Sequence, residues 1–156
     1  MNEPKRVRES HVEMTELVLP NDTNRLGNLL GGRLMHWMDI AAAMASARHA
    51  NRICVTAAVD ELDFLNPVPL GEVVILKASV NRVFRTSMEV GVKVFSEDLR
   101  AGTIRHTNSA YLTFVALDDE GHAVEVPQVI PETDEEVRRY NDALQRREIR
   151  LQHRRK

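Results

Sequence analysis

Between Gly32 and Ala50 the chain runs GRLMHWMDIAAAMASARHA, with no proline or internal glycine and with an abundance of Ala, Leu and Met. These are strong helix formers, and the run reads as one long helix. Its apolar positions, Leu34, Met35, Trp37, Met38, Ile40, Ala41, Met44 and Ala45, nearly surround the axis. A helix with no wide polar face has to be largely enclosed by other structure. The enclosing material follows directly. Ile53 to Phe64, Glu72 to Phe84, Ser87 to Phe95 and Thr103 to Leu117 are extended segments rich in β-branched residues, separated by Pro67-Val-Pro-Leu-Gly71, Arg85-Thr86 and Ser96 to Gly102. In the third, Met88, Val90, Val92 and Val94 alternate with Glu89, Gly91 and Lys93, which turns one face inward. Ahead of the helix, His11 to Leu19 reads as a half-buried strand stopped by Pro20, and Asn21 to Gly32 as a structured loop rich in turn formers. The expected architecture is α+β: an antiparallel sheet of five to six strands, in its simplest form a meander, curled around one central helix.

Pro131 onward changes character. Thr133 and Glu136 have the spacing of a capping box, Asp134, Glu135 and Glu136 load the first turn with acid, and bases accumulate toward Lys156. A C-terminal helix is expected there, docked by Val137, Tyr140 and Leu144. The last eleven residues hold six Lys or Arg against one Glu. That end reads as a solvated tail, the alternative being attraction of a phosphate-bearing ligand or a partner chain. The division is 1–130 for the domain and 131–156 for the C-terminal helix and basic tail.

A chain of 156 residues buries roughly 70% of its unfolded surface around one core and needs no covalent staple, in keeping with the single cysteine, Cys54. The formal net charge of −2 gives no electrostatic footprint of a nucleic-acid binder, and no basic and aromatic interleaving marks a single-strand platform. The first ten residues are charged where a signal peptide is apolar. Leu34 to Ala47 is shorter than a bilayer span and carries His36 and Asp39. A soluble, cytoplasmic protein is the expectation.

Asp39 is the leading candidate for chemistry. Its helical neighbours Met35, Ala42, Ala43 and Ser46 include no cation to pair with it. It is either a general base or a structural carboxylate that accepts hydroxyl or backbone hydrogen bonds. Gly31 and Gly32 open the helix, where free amides favour developing negative charge and a missing Cβ lets a carbonyl approach; the alternative is a tight turn needing positive φ. Asn24 offers a donor and an acceptor to a ligand, or closes an Asx turn. Arg85, Thr86 and Ser87, after Arg82, suit phosphate contact, though an ordinary polar hairpin explains them equally. His36, His49, His106 and His122 lack zinc-motif spacing and read as surface or packing residues. No serine elbow or phosphate loop is present.

The order strand, Pro20-Asn-Asp-Thr-Asn24-Arg-Leu-Gly27-Asn-Leu-Leu-Gly31-Gly32, then Leu34-Met-His-Trp-Met-Asp39, resembles the hot-dog-fold acyl-CoA thioesterases, both the short bacterial enzymes and single domains of the tandem animal cytosolic type. The likeness continues through Val55-Thr-Ala-Ala-Val-Asp-Glu-Leu-Asp-Phe64 to Gly71 and through the strand from Thr107, covering about residues 10–130. Thr23, where Ala is frequent, is a departure away from the expected chemistry. The resemblance implies a homodimer paired edge to edge, or a trimer of such dimers, with Asn24 and Asp39 from opposite subunits meeting at the thioester. It implies acyl-CoA hydrolysis with no metal or redox cofactor, Gly32 polarising the carbonyl, and Asp39 as general base or nucleophile. Gly31, Arg85, Thr86 and Ser87 are the expected substrate-binding residues. A second reading is a non-catalytic acyl-CoA binder or sensor, cued by the basic tail; the presence of both Asn24 and Asp39 favours catalysis. A dehydratase is a third, but calls for a catalytic histidine beside the acid, and none is evident from sequence.

Overall fold

Alternation along the middle strands decides how the chain closes on its helix. The computed structural model describes residues 3–60, 62, 64 and 66–154. In chain order it forms β1 (Lys5–Arg6), β2 (Val12–Leu17), α1 (Gly31–Ala50), β3 (Ile53–Val59), β4 (Val73–Val83), β5 (Ser87–Asp98), β6 (Thr103–Leu117), β7 (Val129–Ile130) and α2 (Asp134–Arg154). The main sheet has five antiparallel strands in the order β2-β4-β5-β6-β3, and β1 and β7 make a small parallel pair. Val74, Leu76, Val80, Val90, Val94 and Phe114 point from β4, β5 and β6 into a core with no solvent exposure. Against them α1 lays Leu34, Trp37, Met38, Ala41, Ala42 and Ala45, whose small alanines let the backbone approach closely. The helix ends at Asn51, which takes the left-handed conformation (φ 53°) and donates its amide to the Ala47 carbonyl at 2.8 Å. No helix among the described residues is long and apolar enough to cross a membrane.

Three expectations are corrected. The meander holds only for β4, β5 and β6. β2 and β5 occupy both edges of β4, so β3 has to join the sheet at its far side, along β6. β3 also stops at Val59, after a bulge between Thr56 and Ala58; Glu61 and Asp63 of the longer expected strand lie outside the described residues. Finally, α1 is covered on one face only. Met35 is 42% exposed, Ile40 37% and Met44 39%, because the sheet covers only the side that carries Leu34, Met38, Ala41 and Ala45.

The capping box that starts α2 is present. The Glu136 amide donates to Thr133 Oγ1 at 3.1 Å and the Thr133 amide to Glu136 Oε1 at 3.3 Å. Val137 and Leu144, however, stay exposed, and α2 docks instead through Tyr140, buried Ala143 and two arginines. The reason is Glu89, which has no solvent exposure on the outer face of the sheet. Arg146 meets it with two bonds, Nε to Oε2 at 2.9 Å and Nη2 to Oε1 at 2.8 Å, and Asn81 Nδ2 donates to Oε1 at 2.9 Å. The Arg146 guanidinium lies 3.7 Å from the Tyr111 ring centroid. Burial opposes its charge, but the Glu89 bonds and charge outweigh this and raise its hold on the proton. Arg150 reaches Asp60 at 3.4 Å. These two arginines of the expected solvated tail are therefore engaged; Arg155 and Lys156 lie outside the described residues.

Two outcomes follow from buried charge and buried imidazole. Arg146→Ala, which strands the Glu89 carboxylate, is expected to lower unfolding free energy by about 3 kcal/mol in urea titrations, and Arg146→Met with Glu89→Leu to lower it less. His49, fully buried, donates from Nε2 to the Pro127 carbonyl at 2.6 Å while Nδ1 is buried without a partner, so the ring is neutral. Burial depresses its pKa against a smaller raising effect of the Pro127 bond. The unfolded chain takes up this proton first, so the His49 contribution to stability is lost as pH falls below about 6.5, by at most about 1.4 kcal/mol per pH unit. Urea midpoints between neutral and acidic pH should show this slope, flattened in His49→Gln.

Candidate functional site

Asp39 lies at the border between the covered and open faces of α1. Its helical neighbours Met35, Ala42, Ala43 and Ser46 carry no charge, and the structure supplies a hydroxyl: Thr56 Oγ1, on β3, donates to Asp39 Oδ1 at 2.6 Å. That bond orients the carboxylate and leaves Oδ2 for another donor. Asp39 and Thr56 line a cavity of about 330 Å³ whose walls are Met35, Met38, Val59, Leu62 and Leu112. A carboxylate oxygen thus stands at the edge of an apolar slot, an arrangement suited to polarising water beside an acyl chain.

Gly32 lines the same cavity, two helical turns before Asp39 on the same face. The α1 start has no side-chain cap; Arg33 and Leu34 both bond the Leu30 carbonyl, and no described residue accepts from the Gly31 or Gly32 amide. Neither glycine has positive φ, so the turn alternative does not hold. Nothing lies within 4 Å of the position a Gly32 Cβ would take, whereas Gly31 sits under the Phe64 ring. The open amide end can receive a carbonyl oxygen in which negative charge develops.

Asn24 is placed elsewhere. Its Oδ1 accepts the amides of Leu26 at 2.9 Å and Asn28 at 3.2 Å, an Asx turn, and it lines a separate cavity of about 280 Å³ together with Gly31, Phe64, Asn66 and Asn108. Within one chain, then, Asp39 and Gly32 come together, while Asn24 and Gly31 face another space. Arg85, Thr86 and Ser87 line neither cavity. They close the β4–β5 turn: the carbonyls of Arg85, Thr86 and Ser87 accept the amides of Val126, Ala116 and Phe84, and the Arg85 guanidinium lies 4.0 Å from Glu125. Two residues that line the cavity were not assigned to it from the sequence: Thr56, and His36, which was read as a surface or packing residue. Thr56 carries no local signal. His36 does, since its position four after Gly32 and three before Asp39 shares their helix face, and it lines the Asp39 cavity.

Residues 26–103 match the thioesterase superfamily. The chain is 45% identical to the uncharacterized acyl-CoA thioester hydrolase YkhA of Bacillus subtilis over 139 residues, 89% of this chain and 81% of that protein. Among solved structures, a hexameric acyl-CoA thioesterase superposes with a TM-score of 0.94 at 40% identity, covering 97% of both chains. The acyl-CoA hydrolase of Staphylococcus aureus, in complex with butyryl coenzyme A and coenzyme A, gives 0.91 at 39% identity over 96% of this chain and 92% of that one. This chain belongs to the thioesterase superfamily, among its acyl-CoA thioester hydrolases, with the hot-dog fold.

Gly32→Ala separates ligand access from folding. Helical φ and empty space admit the methyl group, so the melting temperature should hold or rise slightly, by the equivalent of at most about 1 kcal/mol. Thioester turnover should fall by about 100-fold if the carbonyl sits against this amide.

Proposed function

We propose that this chain hydrolyses acyl-CoA to free CoA and a carboxylic acid, with Asp39 as general base toward water and the Gly32 amide receiving the oxyanion. The observation that carries this reading is the Asp39–Thr56 bond at the edge of an apolar cavity that opens onto the free helix amides. The thioester carbonyl lies at the amides, the acyl chain along Met38, Val59 and Leu112, and water on Asp39 Oδ2. As water attacks, its proton passes to Asp39 and charge gathers on the carbonyl oxygen, where the helix end is favourable. These groups supply base and oxyanion donor themselves, so the reading calls for no metal or redox cofactor. Support comes from the Staphylococcus aureus enzyme. Its solved variants change an asparagine, an aspartate and a threonine to alanine at positions separated by the same two intervals as Asn24, Asp39 and Thr56.

The reading includes a partner. Asn24 and Asp39 occupy different cavities of one chain, and β3 is an edge strand whose Ile53 is 66% exposed beside the open apolar side of α1. An edge strand without charge or proline invites pairing. Two chains joined along β3 cover this face and bring Asn24 of one toward Asp39 of the other, where its Nδ2 orients water or the carbonyl. The hexameric neighbour favours further assembly of such dimers.

Complementation tests both parts. Asn24→Ala and Asp39→Ala should each reduce CoA release by at least about 100-fold. After the two inactive variants are unfolded and refolded together, mixed dimers regain one intact site and activity returns. Inactive mixtures that nevertheless contain heterodimers would show that both residues serve one chain's site.

A further inference from the structure

The cavity that holds Asp39 shares two residues, Gly32 and His36, with a second cavity of about 370 Å³ in front of α1, which Leu30 and Arg33 complete. The two spaces therefore meet at Gly32 and His36. Their linings differ. On the Asp39 side the wall is apolar. On the other, Arg33 Nε sits 3.3 Å from Asp22 Oδ1 and the space opens to solvent. A thioester whose carbonyl meets Gly32 puts its acyl chain in the apolar cavity and its CoA arm through the second, which sets the sulfur beside His36.

We propose that His36 is a further catalytic residue, the acid that protonates the departing CoA sulfur; this rests on the hydrolase reading above. Water's oxygen bonds to the thioester carbon as its proton goes to Asp39. The carbon–sulfur bond then breaks with its electron pair on sulfur, and His36 delivers a proton there. The proton held by Asp39, three residues along the same face, restores His36. The products are the carboxylic acid and CoA thiol, with no change of oxidation state. Among the described residues, the charged groups lining these two cavities are Asp39 and Arg33, on the same helix, with Arg33 paired to Asp22; β3 and β6 contribute Thr56, Val59 and Leu112, which carry no charge. His36 is exposed in the chain, so its replacement leaves the core intact.

The test compares wild type, His36→Ala and His36→Gln on an acyl-CoA and on the nitrothiophenyl thioester of the same acid, whose thiolate leaves without a proton. Both variants should lose about tenfold in kcat on acyl-CoA and less than about twofold on the nitrothiophenyl ester. Equal losses on the two esters, or unchanged turnover of acyl-CoA in His36→Ala, overturn the assignment while leaving the hydrolase reading intact. A wild type that releases no CoA from any acyl-CoA overturns the hydrolase reading, and this assignment falls with it.

Discussion

Helix α1 is apolar around nearly its whole circumference, yet a single five-stranded sheet can wrap only part of it. Ala41, Ala42 and Ala45, without solvent exposure, allow the helix to sit deep in the concave face, where β4, β5 and β6 present Val74, Leu76, Val80, Val90, Val94 and Phe114. The border where the sheet runs out is where the chemistry gathers. A carboxylate in the buried half of α1 would need an ionic partner, and one on the open half would be lost to solvent. Asp39, on the boundary, takes one hydroxyl hydrogen bond from the edge strand and keeps its second oxygen for a ligand. The same boundary places the uncapped helix amides and His36 at the mouth of one apolar cavity.

The outer face of the sheet is built on the opposite principle. Where the inner face relies on apolar packing, the outer one buries Glu89 and Asn81, beside half-buried Tyr111, against α2 through a two-pronged guanidinium contact. Gly91 is part of this arrangement, since a Cβ there would lie 2.7 Å from Asn81 Nδ2 and push aside the donor that completes Glu89. Arg150 carries the same helix to Asp60, directly after β3, so α2 also braces the chain leading toward Leu62 and Phe64, residues of the two site cavities. Such ion pairs contribute little net stability compared with aliphatic packing, but they fix which face of α2 meets the sheet. This is why Val137 and Leu144 remain exposed although their spacing suits docking.

Local chemistry made much of this legible. The α1 run, the Thr103–Leu117 strand, the capping box of α2, and Asp39 with Gly32 on one helix are all encoded within windows of a few residues, where propensity, alternation and helical spacing act directly. Tertiary structure alone decided the rest. Strand order depends on which edges stay vacant after β2 and β5 flank β4, so β3 ends beside β6, and Thr56, seventeen residues from Asp39, becomes its partner. The pairing of Glu89 with Arg146 and the separation of Asn24 from Asp39 likewise arise from contacts between distant segments, which no local window contains. A periodic pattern states that a residue is buried or faces outward; only closure of the whole sheet states against what.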